Sequence, residues 1–247
     1  VPFVLLWLIL LKLYLDKKSK LALFLSGLFL GVGLHSYHAA KIMMPLYFLI
    51  SIPVFWKDFR QKYFDFLFFL TGFLLPVLAF LPWLRAHPDT ILNQVSYVSL
   101  IDKSIEANKG FFGILSFERL ELMASSYVKY LDPKILFISG DRSLIHSTQM
   151  TGAFLFPLVF FLVFGILAVL FREKDNISRL ILFGFLTYPL APSLINDPSR
   201  ISRGLVVIPF LILLSIYGFK YLSSFNEKIF KVLVVSLLVI SFIQFTS

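Results

Sequence analysis

Apolar residues in this chain come in long runs rather than in alternating or striped patterns. About eight of the runs reach or approach the 17–25 residues that cross a bilayer. They cover 1–15, 21–36, 42–56, 65–84, 152–171, 180–195, 204–221 and 229–245. Rich in Leu, Phe and Ile, they predict helices, because lipid offers no partner to an open backbone. The runs 21–36 and 42–56 are short and joined by a few residues, which predicts a tight helical hairpin with one member spanning incompletely. The whole pattern predicts an all-α fold: a polytopic transmembrane helical bundle, one transmembrane domain over 1–247, with a long outward loop, 85–151, inside it.

The polar connections fix an expected orientation. Three cations stand in every second one: Lys17, Lys18 and Lys20; Lys57, Arg60 and Lys62; Arg172, Lys174 and Arg179; Lys220, Lys228 and Lys231. Basic connections stay cytoplasmic. The alternate connections, 35–41, 85–151 and 196–203, are then periplasmic, and all four histidines lie in or beside them, as do Asp141 and Asp197. Within the long outward loop, Phe117, Leu120, Ala124, Tyr127, Val128 and Leu131 recur at helical spacing, with Glu118, Arg119, Ser125, Ser126 and Lys129 opposite. This predicts an amphipathic helix lying at the membrane interface, with Leu122 as an exception. Asp132-Pro133 ends it, because the residue before Pro is pushed out of the α region. A short apolar lead, 135–138, then enters Gly140-Asp141, and 93–110 reads as loop.

Composition supports the membrane reading. The chain is 58% hydrophobic and 15% charged, with 30 Phe in 247 residues, against roughly 45–50% and 25% in soluble domains. Absence of cysteine removes disulfides, thiolate nucleophiles and Cys-type zinc sites. The net charge of +9 is spread over the basic connections and forms no nucleic-acid patch. The chain opens Val1-Pro2-Phe3 inside an apolar run, with no initiator Met or signal peptide, which predicts a fragment lacking its N-terminal part.

Three outward clusters carry candidate chemistry. The segment 130–152 gathers Gly140, Asp141, Arg142, Ser143, His146 and Gln149 ahead of an apolar run. Ionisable groups kept at a bilayer entrance are functional candidates, and a solvated turn is the plain alternative. His35, Tyr37, His38 and Lys41 form the second cluster. Its histidines share a helix face but lack an evident third metal ligand, so the choice is between interfacial anchoring and an anionic headgroup contact. Asp197, Arg200 and Arg203 form the third. Two arginines three apart at a helix head suit a phosphate, against simple snorkelling. G-x-S-x-G, P-loop and H-E-x-x-H motifs are absent.

Three stretches together carry a family resemblance. GLFLGVGLHSYHAAKIMMPL resembles the G-L-x-L-G-x-x-x-Y-T-Y-x-A-A-R-x-x-P-L segment of bacterial GT-C glycosyltransferases of the family 39, aminoarabinose-transferase-like kind. YLDPKILFISGDRSLIHSTQMTG resembles their Y-L-S-P-x-F-L-F-x-x-G-D-x-x-x-R-H segment, and NDPSRISRGLVVIPFLILLSIYG their outward turn with an Arg before a Pro-containing helix. The three cover about a third of the chain, in the family's order. Lys41 replaces the family's Arg, and Ile145 stands where an Arg often precedes the histidine.

The resemblance implies a multi-pass protein of the bacterial inner membrane that transfers a sugar from a polyprenyl-phosphate donor to a lipid, glycan or protein acceptor by inversion. No cofactor is expected, a divalent metal having no support in the sequence, and the resemblance places substrate binding on Tyr37, Lys41, Asp141, His146, Arg200 and Arg203. The catalytic carboxylate is expected in a first outward loop upstream of residue 1. The competing expectations are a transporter or flippase for a lipid-linked glycan, which needs a polar path across the bilayer, and a non-catalytic membrane scaffold.

Overall fold

A computed structural model of the protein describes residues 1–37, 39–87, 117–141, 151–194, 201–225 and 227–246, and every regular element among them is helical. Pro2 stands in the first turn of α1 (Pro2–Lys17), where its missing N–H leaves no bond unmade. Lys18, in the left-handed conformation, ends α1 by donating its N–H to the Tyr14 carbonyl. Ser19 then caps α2 (Lys20–Gly33), its hydroxyl accepting from the Ala22 N–H. α3 (Ala40–Val54), the short α4 (Trp56–Gln61) and α5 (Tyr63–Ala86) complete the N-terminal half. α6 (Phe117–Tyr130) and one wide helical turn, Ile135–Ser139, precede the second half: α7 (Leu158–Phe171), α8 (Asn176–Thr187), α9 (Leu190–Ser193), α10 (Val207–Ser223) and α11 (Glu227–Thr246).

Among the described residues, α5 is the one helix long and apolar enough to cross a membrane; its 24 residues extend about 36 Å at 1.5 Å each. α2, α3, α7, α10 and most of α11 are apolar and shorter. Two helices depart from the expected runs. The run expected from 152 becomes helical only at Leu158, because the chain before it is tied to the wide turn by the Phe154 N–H on the Leu136 carbonyl, 2.9 Å. The run expected over 180–195 starts earlier, at Asn176, since the Asp175 carboxylate accepts from the Ser178 N–H. It breaks before Pro189, which has no N–H to continue the ladder.

Each half is built on glycine-mediated close approach. On α2, side chains at Gly27 and Gly31 would collide with the Phe69 and Phe73 carbonyls of α5, and one at Gly72 would meet the Phe24 carbonyl. α7 and α10 repeat the device: Gly165 lies against the Leu214 carbonyl and Gly218 against that of Phe161. Between the halves runs an aromatic seam. Trp7 of α1 stacks on Tyr47 of α3 at 5.3 Å, and Tyr47 meets Phe210 of α10 edge-on at 5.3 Å. Phe210 fits only because Gly184 of α8 has no side chain to strike its ring.

The basic connections gather at one end. Lys18 pairs with Asp58 at 3.3 Å, and the Tyr14 hydroxyl donates to the buried Asp65 carboxylate at 2.6 Å. Arg172 donates to the Ser224 hydroxyl at 2.9 Å, and Lys220 lies 3.6 Å from Glu173. The α2–α3 connection and the turn before α10 lie together at the opposite end. The outer helix faces expose large apolar side chains, including Leu78 at 57% and Leu170 at 57%.

Candidate functional site

The head of α10 organises the other end. The chain enters it through a tight 3₁₀ turn, Ile201–Gly204. A Cβ at Gly204 would stand 3.3 Å from the Tyr188 ring and 3.7 Å from the Tyr130 ring. The Tyr188 hydroxyl donates to the Tyr130 carbonyl, and the Tyr127 hydroxyl donates to the Leu186 carbonyl. Burial raises the Tyr127 pKa, so it stays a protonated donor at ordinary pH. The end of α6, the end of α8 and the head of α10 thus interlock beside Arg203.

On the other side of Arg203 opens a cavity of about 540 Å³, lined from α10's head by Arg203, Leu205 and Val206 and from the α2–α3 connection by Ser36, Tyr37, Ala39, Ala40, Met43 and Met44, with Val1 at its edge. Its walls divide by chemistry. Arg203, Tyr37 and Ser36 are polar; the two methionines, Leu205 and Val206 are apolar. Ala39 and Ala40 contribute only small side chains to its wall. A cavity of this size accepts a ligand of drug-like dimensions. Its lining matches an amphiphile with an anionic head: a guanidinium and a phenol for the charge, and adaptable thioethers for the hydrocarbon.

The six residues expected at a binding site fall out as follows. Tyr37 and Arg203, distant in sequence, line the same cavity. Lys41 sits in the first turn of α3 with its side chain exposed, while Ala40, Met43 and Met44 of the same helix face the cavity. Asp141 is buried, 2% exposed, just after Gly140, whose φ of 68° favours a residue without a Cβ. His146 and Arg200 lie outside the described residues, as do His38 and Asp197. His35 packs its ring on Phe80 at 4.6 Å, and His87 stacks on Trp83 at 4.8 Å. Among the described residues no group of three or more His, Cys, Asp or Glu is placed to hold a metal.

Sequence reasoning passed over two features. Met43 and Met44 were legible only as two flexible side chains following two alanines. Gln244 of α11 was legible as a lone amide in an apolar run, a residue type that seeks a partner inside the bundle. Its Nε2 donates to the Phe137 carbonyl at 3.3 Å, and its Oε1 accepts from the Phe156 N–H at 2.7 Å. One side chain therefore clasps both ends of the chain segment that carries Gly140 and Asp141. The Gly27 and Gly31 of the resembling segment serve helix packing, and the same segment's Tyr37 and Ala40 serve the cavity. No protein-family model, curated protein or solved structure matches this chain.

Proposed function

We propose that this chain is a multi-pass membrane glycosyltransferase of the GT-C kind, its bundle of about eight apolar helices spanning the bilayer, and that the cavity at the head of α10 seats the phosphate and first isoprene units of a polyprenyl-phosphate sugar. The observation that carries this reading is the cavity itself, in which Tyr37 and Arg203 meet a methionine-rich apolar wall. The three-part sequence resemblance and the gathering of basic connections at the opposite end support it. With those connections cytoplasmic, the cavity opens on the periplasmic side.

The chemistry follows from charge. In an inverting transfer the acceptor hydroxyl attacks the anomeric carbon, loses its proton to a carboxylate base, and the bond from that carbon to the phosphate oxygen breaks. The phosphodiester's single charge becomes a phosphomonoester's two. A fixed cation that meets this growing charge lowers the barrier more than it tightens ground-state binding. On this reading Arg203 takes that role and Tyr37 donates to the same group, both lining the cavity. What this chain supplies to the step is the seat of the leaving phosphate. A transport path is less well supported: the described buried polar groups within the bundle are largely serine hydroxyls, and Ser26 and Ser51 already donate to the Trp7 and Tyr47 carbonyls.

The test is photolabelling of the purified chain in nanodiscs with a diazirine-bearing polyprenyl phosphate. Labelling is expected on peptides covering 39–44 and 205–208, and unlabelled polyprenyl phosphate is expected to compete where the free alcohol does not. Labelling spread evenly over the exposed helix faces, or equal competition by the alcohol, would refute the seat.

A further inference from the structure

Arg203 reaches the cavity from a turn of only four residues, Ile201–Gly204. The residues around it divide between two spaces. Arg203, Leu205 and Val206 line the large cavity. Gly204 and Val207 line a second space of about 10 Å³, which Tyr130, Leu136 and Tyr188 help to enclose. Val207 is fully buried and fixes the head of α10. The turn above it is not fixed in that way. Retreat of the turn into the small space would carry the guanidinium back from the cavity. What stands against the turn on that side is the Tyr188 ring. Because residue 204 is a glycine, the ring packs directly on the backbone: a Cβ there would lie 3.3 Å from it.

Tyr188 is itself held in place. It is 1% exposed, and its ring tilts on that of Phe185, one turn earlier, at 5.9 Å. It stands at the end of α8, just before Pro189, so the helical ladder does not continue through it. Its hydroxyl donates to the Tyr130 carbonyl, a restraint that reaches outside α8 and that loss of one oxygen atom removes. We propose that Tyr188 is a positioning residue for Arg203: its ring, fixed by the bond from its hydroxyl to Tyr130, sets how far the guanidinium stands into the cavity. This inference rests on the reading of that cavity as the seat of a polyprenyl phosphate. The accepting carbonyl belongs to the last residue of α6, so the docking of the outward segment on α8 is transmitted to the phosphate seat. A purely structural tyrosine would act on every ligand of the cavity alike. A positioning tyrosine acts only on the ligand that Arg203 holds, and only while Arg203 is present.

The experiment compares retention of a fluorescent polyprenyl phosphate and of the corresponding free alcohol by the whole chain in nanodiscs. Tyr188→Phe keeps the ring and removes the bond. It is expected to weaken retention of the phosphate about 3- to 10-fold, the effect of one neutral hydrogen bond, and to leave the alcohol unchanged. Tyr127→Phe removes a bond of the same kind, to the Leu186 carbonyl, from a side chain that does not line the small space; both ligands are expected to be retained as before. In an Arg203→Ala background, Tyr188→Phe is expected to add no further loss. If the wild-type chain prefers the phosphate but Tyr188→Phe retains it equally well, the positioning role is wrong and the phosphate seat survives. The role is equally overturned if Tyr188→Phe weakens both ligands alike, or costs as much without Arg203 as with it. If the wild-type chain itself holds phosphate and alcohol equally, the phosphate seat is wrong and the positioning role falls with it.

Discussion

Arg203 and Lys41 carry the same charge at the same end of the bundle, but they stand differently toward the cavity. Lys41 is exposed, so its ammonium keeps its water and is screened by salt. Arg203 is half-buried in the cavity wall, where on the proposed function a phosphate would meet a less hydrated guanidinium. Replacing Arg203 by Ala is expected to weaken retention of a fluorescent polyprenyl phosphate roughly 10- to 100-fold, the equivalent of about 1.5–3 kcal/mol for a charge-assisted hydrogen bond. Lys41→Ala is expected to change it no more than about threefold, as for an exposed ion pair. Equal losses in titrations of the two variants would mean that the cavity does not discriminate between them. The sequence could nominate both residues, since each stands at a helix head in an outward segment. It could not rank them, because a position one residue along α3 decides which side chains face the cavity, and Ala40, Met43 and Met44 take those places.

Elements in this chain were legible by their apolar runs, and their ends were not. The Asp175 cap and Pro189 redraw one run, and the bond from Phe154 to Leu136 delays another. Such ends depend on hydrogen bonds whose partners are remote or off the hydrophobic pattern. α11 shows the same limit: its apolar run was plain, but its partner was not, because Gln244 bonds to residues 88 and 107 positions away. With hydrogen bonds each worth about 1 kcal/mol, Gln244→Leu should lower the cost of opening the Phe137–Phe156 clasp by about 1–2 kcal/mol and leave the rest of α11 helical. Hydrogen–deuterium exchange in nanodiscs would then show the Phe156 amide exchanging about tenfold faster. Exchange unchanged there would mean that the Leu136–Phe154 bond alone closes the segment.

At the scale of the molecule, two glycine-zipped halves meet along the Trp7–Tyr47–Phe210 seam, and the cavity sits at the end of that seam, between α3 of one half and the head of α10 of the other. Its walls come from different halves, so any change that separates the halves opens it. The same architecture sorts charge. Lys18 and Lys220 pair with Asp58 and Glu173 at one end, leaving Tyr37, Arg203 and α6 at the other. This polarity was legible in sequence because it is written in connection charges, which need no tertiary contact to read. Helix length was not, and among the described residues α5 alone is long and apolar enough to cross a bilayer. The segregation predicts opposite accessibility for the two ends. In inner-membrane vesicles of known sidedness, Lys17→Cys is expected to react with an impermeant maleimide only from the cytoplasmic face and Ser125→Cys only from the periplasmic face. Both residues are exposed, so a silent label would reflect membrane position and not burial in the protein. Labelling of both from one face would place the basic end and the cavity on the same side, which the separation of these ends by the 24-residue α5 does not allow for a spanning bundle.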